Sequence, residues 1–173
     1  LRAMSAVGHG EQDHSHLMDR VYRHQRHFYD LTRRYYLLGR DRLIGELDAE
    51  RGTRVLEVGC GTGWNLIRAA KLFPEAEFYG MDISHEMLAT ARRAARRQGA
   101  DLHLGYGDAT RFNPYASFGV SRFERIYMSY TLSMIPDWQA TLAQGICNLA
   151  PGGSLHIVDF GEQERLPRWF RSA

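Results

Sequence analysis

Cysteine is nearly missing from this chain, with only Cys60 and Cys147 in 173 residues. That scarcity excludes a disulfide scaffold and suits a reducing compartment, and the two thiols show no zinc-ligand spacing. There is no His-Glu-x-x-His and no clustered cysteine–histidine set, so no metal site is expected. Long apolar runs are missing too. None is long enough to cross a bilayer, and His9, Glu11, Asp13 and His14 stand where a secretory leader would need an apolar stretch. The expectation is a cytoplasmic protein, with at most peripheral contact at the inner membrane surface. A large net charge is also absent, and +2 is too small to imply nucleic acid. Locally the balance is less even: residues 17–45 carry seven arginines against three aspartates, which favours an anionic substrate or lipid surface.

What the chain does contain is enough sequence for one domain with a hydrophobic core. Residues 1–16 are polar and without period, and read as a flexible lead-in. Over 17–51 a helical cap is expected to contribute to the substrate cleft. Leu17, Val21, His24, Phe28, Leu31, Tyr35 and Leu38 recur at helical steps, and Tyr22, Arg26, Tyr29, Arg33 and Tyr36 form a second, aromatic and basic stripe. Gly39 permits a break before a short helix through Leu43, Ile44 and Leu47. From Arg54 the rhythm becomes βα. Strands are expected at Val55–Val58, Phe78–Met81, Leu102–Leu104, Phe123–Ser129 and Leu155–Val158. Helices are expected at Trp64–Leu72, from a Ser84 cap to about Gln98, and after an Asp137 cap with Trp138, Leu142, Ile146 and Leu149 buried. The fold class is therefore α/β, a Rossmann-like and mostly parallel sheet with helices on both faces.

Between the first strand and helix lies Gly59-Cys60-Gly61-Thr62-Gly63, a tight turn where such a fold holds a nucleotide-like cofactor. A dinucleotide fingerprint needs a third glycine where Trp64 stands, which argues against NAD. No Lys-Ser or Lys-Thr pair follows, which argues against a triphosphate loop. Glu57 is expected to aim its charge into this site, where it suits a cationic amino group; the plainer alternative is a carboxylate bonded to nearby amides. Asp82 ends the second strand, where a carboxylate can accept ribose hydroxyls or cap the next helix. Asp108 follows the third strand and either meets an adenine amine or is an ordinary turn aspartate.

Together, Glu57-Val58-Gly59-Cys60-Gly61-Thr62-Gly63, Asp82 and Gly107-Asp108-Ala109 resemble the class I S-adenosylmethionine-dependent methyltransferases over roughly residues 52–160. The resemblance implies that Glu57 with Gly59, Cys60, Gly61 and Gly63 holds the methionine end of the cofactor. It places Asp82 with the adjoining Ile83 at the ribose side, Asp108 and Ala109 at the adenine, and Ser129 and Tyr130 at the methyl-transfer cleft. The segment Met18–Asp41 and the run Ser129–Trp138 look like the N-methyltransferase of betaine-lipid synthesis, which trimethylates the amine of diacylglyceryl-homoserine. On that likeness Tyr29, Tyr36 and Tyr130 would cage the quaternary ammonium, each contact contributing about 0.5–2 kcal/mol. Aromatics at this spacing are also ordinary packing residues. Arg26, Arg33 and Arg40 would pair with the substrate carboxylate beside Tyr22, and His27 would accept a proton.

Other readings stay open: a methyltransferase for a quinone precursor or phosphoethanolamine, or a noncatalytic adenosylmethionine-binding or membrane-surface module. Arg92, Arg93, Arg96 and Arg97 read as a solvated helix face, and Trp169 and Phe170 as a basic-aromatic tail. The family's sheet ends with two further strands that residues 161–173 are too few and polar to supply, so domain 52–173 is expected to be incomplete at its carboxyl end, with a homodimer covering the open edge.

Overall fold

The structure, a computed structural model, describes residues 39–160. Gly39, at φ 85°, turns the chain into α1 (Arg40–Gly45), which buries Leu43 and Ile44 with Leu47 just beyond it. Five strands alternating with four helices follow the expected rhythm. They are β1 (Arg54–Val58), α2 (Trp64–Leu72), β2 (Glu77–Asp82), α3 (His85–Gln98), β3 (His103–Tyr106), α4 (Pro114–Phe118), β4 (Phe123–Ser129), a 3₁₀ turn at Leu132–Met134, α5 (Trp138–Cys147) and β5 (Leu149–Val158). The strand order is β3-β2-β1-β4-β5 and every pairing is parallel. The chain therefore runs outward from β1 through β3, then crosses back to lie beside β1 as β4. The carboxyl ends of β1 and β4 flank that reversal, where sheets of this kind open a ligand crevice.

Alternation along the strands divides the core between the two faces. Val55, Phe78 and Tyr127 pack with Leu66, Leu88 and the α1 residues on one side. Leu56, Val58, Met81, Ile126 and Met128 form the other. At the lower end Arg54 and Glu124 tie β1 to β4 through a bidentate ion pair, 2.6 and 3.1 Å, while the Arg54 amide also donates to the same carboxylate at 2.9 Å. Among the described residues no helix is long and apolar enough to cross a membrane.

The elements differ from expectation at four places. α4 was not foreseen, although Asn113-Pro114 carries the signal: Asn113 Oδ1 accepts from the Tyr115 and Ala116 amides, and Pro114 occupies the first turn. β3 begins later and runs through Gly105, because a β-carbon there would stand 2.8 Å from the Phe118 ring and the bare glycine lets that ring close on the strand. β5 begins at Leu149, with Pro151-Gly152-Gly153 forming an irregularity inside it: Phe123 pairs with Leu149, and Arg125 already with Ser154. The face of α5 is the fourth. Its buried residues are Thr141 and Gly145, while Trp138 and Ile146 are exposed and Leu142 is half-buried. A β-carbon on Gly145 would sit 3.0 Å from the Met128 methyl, so the helix lies close to the sheet at its small residues, with Leu142 packed beside them.

Candidate active site

The glycine loop is fastened to the end of β2. The amides of Gly59 and Cys60 both donate to the Met81 carbonyl at 2.9 Å, and the Gly61 amide donates to Asp82 Oδ2 at 2.8 Å. The other carboxylate oxygen of Asp82 accepts the Ser84 amide at 2.8 Å, and the Asp82 carbonyl accepts from Gly107 at 3.2 Å. One residue thus joins the loop, the start of α3 and the Gly107-Asp108 segment. Ser84 caps α3 by accepting from the Met87 amide, and Asp82 organises the loops above the sheet. Ile83 is half-buried between Asp82 and Ser84.

The glycines serve different ends. A β-carbon on Gly59 would lie 2.5 Å from the Thr131 side chain, and one on Gly63 would lie 3.0 Å from the Ala91 β-carbon. At those two glycines the space a β-carbon would need is already taken by neighbouring side chains. Gly63, at φ 76°, also opens α2 without a side-chain cap, which leaves the first-turn amides facing the loop.

Glu57 needs correcting as well. It is 1 % exposed, and its carboxylate is bonded within the protein, accepting from Asn65 Nδ2 at 2.7 Å and the Tyr127 hydroxyl at 3.1 Å. Both of these partners are neutral side chains. Burial first, then Glu57, holds the Tyr127 phenol well above its ordinary range. Burial, then Asp82 and Glu57, does the same to the Cys60 thiol. Two carboxylates beneath the loop make a negative pocket floor that suits a cationic ligand.

Asp108 is half-buried and committed to its own turn: Oδ1 accepts from the Thr110 amide and hydroxyl at 2.9 and 2.8 Å, and Oδ2 faces Arg111 at 3.3 Å. Ala109 packs against the second core. At the β4 end Ser129 is 4 % exposed and its buried hydroxyl has no hydrogen-bond partner among the described residues, and Tyr130 takes φ 56°, a left-handed conformation that side chains rarely adopt. Tyr22, Arg26, His27, Tyr29, Arg33 and Tyr36 lie outside the described residues, as do Trp169 and Phe170. Arg40 is described: it is buried, with its guanidinium carbon 4.6 Å from the centre of the Trp64 ring. Sequence reasoning missed Asn65, which steadies Glu57; Thr131, which fills the space beside Gly59 and donates to the Val58 carbonyl at 3.1 Å; and the stacked His85–Tyr106 pair beside Asp82. None follows a motif. Only Trp64 carried a signal, and that was used against NAD alone.

The model of the methyltransferase domain family matches residues 55–153, which is more than half of the chain. The chain belongs to this family. The methyltransferase domain is similar, at 32 % identity over 124 residues, to the demethylmenaquinone methyltransferase of Listeria welshimeri, covering 69 % of this chain and 50 % of that protein. A protein of the same name from Geobacillus sp. is 26 % identical over 151 residues, covering 83 % and 61 %. The methyltransferase domain spans about half the length of the first of these curated relatives. Among solved structures, the SAM-dependent methyltransferase from Geobacter sulfurreducens in complex with S-adenosyl-L-homocysteine aligns with a TM-score of 0.57 at 24 % identity, covering 68 % of this chain and 46 % of that one. YcgJ from Bacillus subtilis aligns at 0.61 and 22 %, covering 70 % and 50 %. At these identities the structural matches speak for the fold.

Proposed function

We propose that this domain binds S-adenosylmethionine over the glycine loop and transfers its methyl group to a small molecule of the quinone-precursor class. The observation that carries the cofactor reading is the clasp at Asp82, which fixes the loop, α3 and the Gly107-Asp108 segment around one partly buried carboxylate. The residues present fit the group. The uncapped start of α2 suits its carboxylate, the two acids beneath the loop suit its positive charge, and the unpartnered Ser129 hydroxyl awaits a polar neighbour. When bound, the cofactor supplies an electrophilic methyl carbon on a sulfonium. The chain's own task is alignment and exclusion of water: Gly61 and Asp82 set the loop, and Ser129 and Tyr130 form the far lip at the end of β4.

For the acceptor, the similarity to demethylmenaquinone methyltransferases supports a quinone precursor over the homoserine lipid expected from the N-terminal segment. Incubating the protein with methyl-labelled adenosylmethionine and separate pools of demethylmenaquinol, diacylglyceryl-homoserine and phosphoethanolamine tests this. Label in the quinol supports the proposal. Label only in an amine overturns the acceptor, and cofactor binding with no transfer to any pool leaves a noncatalytic binding module.

A further inference from the structure

We propose that the helical layer of α1, α2 and α3 docks this domain on an anionic lipid bilayer, through a basic patch at the carboxyl-terminal halves of α2 and α3. The choice of a lipid surface rests on the quinone-precursor reading above, since an apolar acceptor of that class partitions into a bilayer. The charge itself is a property of the fold. α1, α2 and α3 cover the sheet face that buries Leu43, Leu66 and Leu88, and between them they expose six arginines and one lysine against two acids, Asp41 and Glu86. Two of those arginines are matched locally, Arg42 by Glu46 at 2.7 Å and Arg68 by Asp41 at 3.0 Å. Lys71, Arg92, Arg93, Arg96 and Arg97 form no ion pair among the described residues. Their hydrogen bonds go to neutral groups: Lys71 donates to Gln98 at 2.6 Å, Arg92 to the Leu104 carbonyl at 3.0 Å and Arg93 to Thr90 at 2.9 Å. Over the opposite face, α4 and α5 contain no charged residue.

The patch is continuous. Lys71 lies in the last turn of α2 and Gln98 ends α3, so their hydrogen bond brings the two helix ends together. At 3.6 residues per turn the four arginines of α3 occupy about 140° of its circumference, across from the buried Met87, Leu88, Ala91 and Ala95. Cations in a last turn also meet the helix dipole, but each dipole end amounts to only about half a charge. Two helix ends therefore leave most of five cations facing outward. Leu72, next to Lys71, is 54 % exposed, which sets an apolar side chain among them. That pairing fits a lipid interface, where guanidinium forks meet headgroup phosphates and the apolar group enters the boundary beneath. A nucleic-acid backbone would meet the same charges but offers Leu72 no partner. From Leu72, α2 runs back to Trp64 at the glycine loop, about 12 Å along the helix. A docked layer thus holds the cofactor loop close to the bilayer from which an apolar acceptor arrives.

The test sediments the full chain with vesicles of phosphatidylcholine alone and of phosphatidylcholine mixed with phosphatidylglycerol. Wild type is expected to bind the anionic vesicles, to be released from them by raised salt, and to leave the neutral vesicles unbound. Each basic residue at such a surface contributes about fivefold, so the triple variant Arg93→Gln, Arg96→Gln and Arg97→Gln should bind at least about tenfold more weakly. The corresponding triple lysine variant should keep most of the binding, and Leu72→Ser should weaken it without changing its salt dependence. Equal binding to both vesicles, binding to neither, or an undiminished triple glutamine variant overturns the inference. An RNA duplex that displaces the anionic vesicles from the protein overturns it as well. Calorimetric affinity for S-adenosylhomocysteine should be alike in all variants, which shows that the fold is intact. If wild type binds anionic vesicles but not adenosylhomocysteine, the methyl-transfer reading falls and the docking surface stands. If it methylates demethylmenaquinol without binding anionic vesicles, the docking surface falls alone.

Discussion

At the scale of single residues, the informative groups are those whose partners could not be read from their neighbours in sequence. Glu57 stands in the glycine motif, yet its position alone does not say that Asn65 and Tyr127 hold its carboxylate, the latter 70 residues away. Asp82 was legible because a strand-end acid followed by a serine cap has a local meaning, and the structure adds the loop clasp. That clasp makes a direct prediction. Asp82→Ala removes the acceptor of both the Gly61 and Ser84 amides, and hydrogen bonds to charged groups contribute about 1.5–3 kcal/mol each. Affinity for S-adenosylhomocysteine is expected to fall at least about tenfold, with Asp82→Asn intermediate because it keeps one acceptor oxygen. Equal calorimetric affinities in wild type and Asp82→Ala would remove Asp82 from the site.

At the scale of elements, strands and the long helix were readable because their signals are local: β-branched and apolar runs for β1 and β4, and serine and glycine bracketing α3. The face of α5 was misread because a hydrophobicity pattern assumes that the largest apolar side chains turn inward. Contact between α5 and β4 instead depends on Gly145 and Thr141, whose small size counts only once the opposing Met128 is known. The same dependence on a distant partner governs the join between β1 and β4. Arg54, chiefly through its hydrogen bonds, lowers the Glu124 carboxyl below its ordinary value of 4.5. A depressed acid contributes stability that is fully present above the unfolded value and is lost as pH falls through the folded one. Glu124→Gln should therefore lower stability at pH 7 by up to about 1 kcal/mol, since the pair is partly exposed, and should flatten the decline below about pH 4.5. Urea midpoints from pH 7 to pH 3 check both effects. A variant that keeps the wild-type slope would mean the ion pair contributes nothing to the acid limb.

At the scale of the whole molecule, the two ends of the sheet differ. The β1–β4 centre is covered on both faces, whereas the β5 side exposes large apolar groups: Trp138 and Ile146 on α5, Ile157 on β5, and Phe160 just beyond it. Ile157 pairs in register with Met128, so it lies on the same sheet face as α5, and Trp138 and Ile146 stand eight residues apart on one side of that helix. Among the described residues β5 also ends the sheet, leaving one line of its backbone groups without a strand neighbour. Fully burying an apolar side chain of this size contributes about 1.5–3 kcal/mol. Covering three of them between two copies therefore offsets part of the association cost of several kcal/mol. The chain as given is accordingly expected to self-associate in sedimentation velocity as its concentration rises, and the doubly charged variant Ile146→Glu with Ile157→Lys should shift it toward monomer without altering adenosylhomocysteine affinity. The affinity is the control because the cofactor clasp sits at β1 and β2, away from the β5 edge. A wild-type chain that stays monomeric across that concentration range would rule out the edge as a self-association surface.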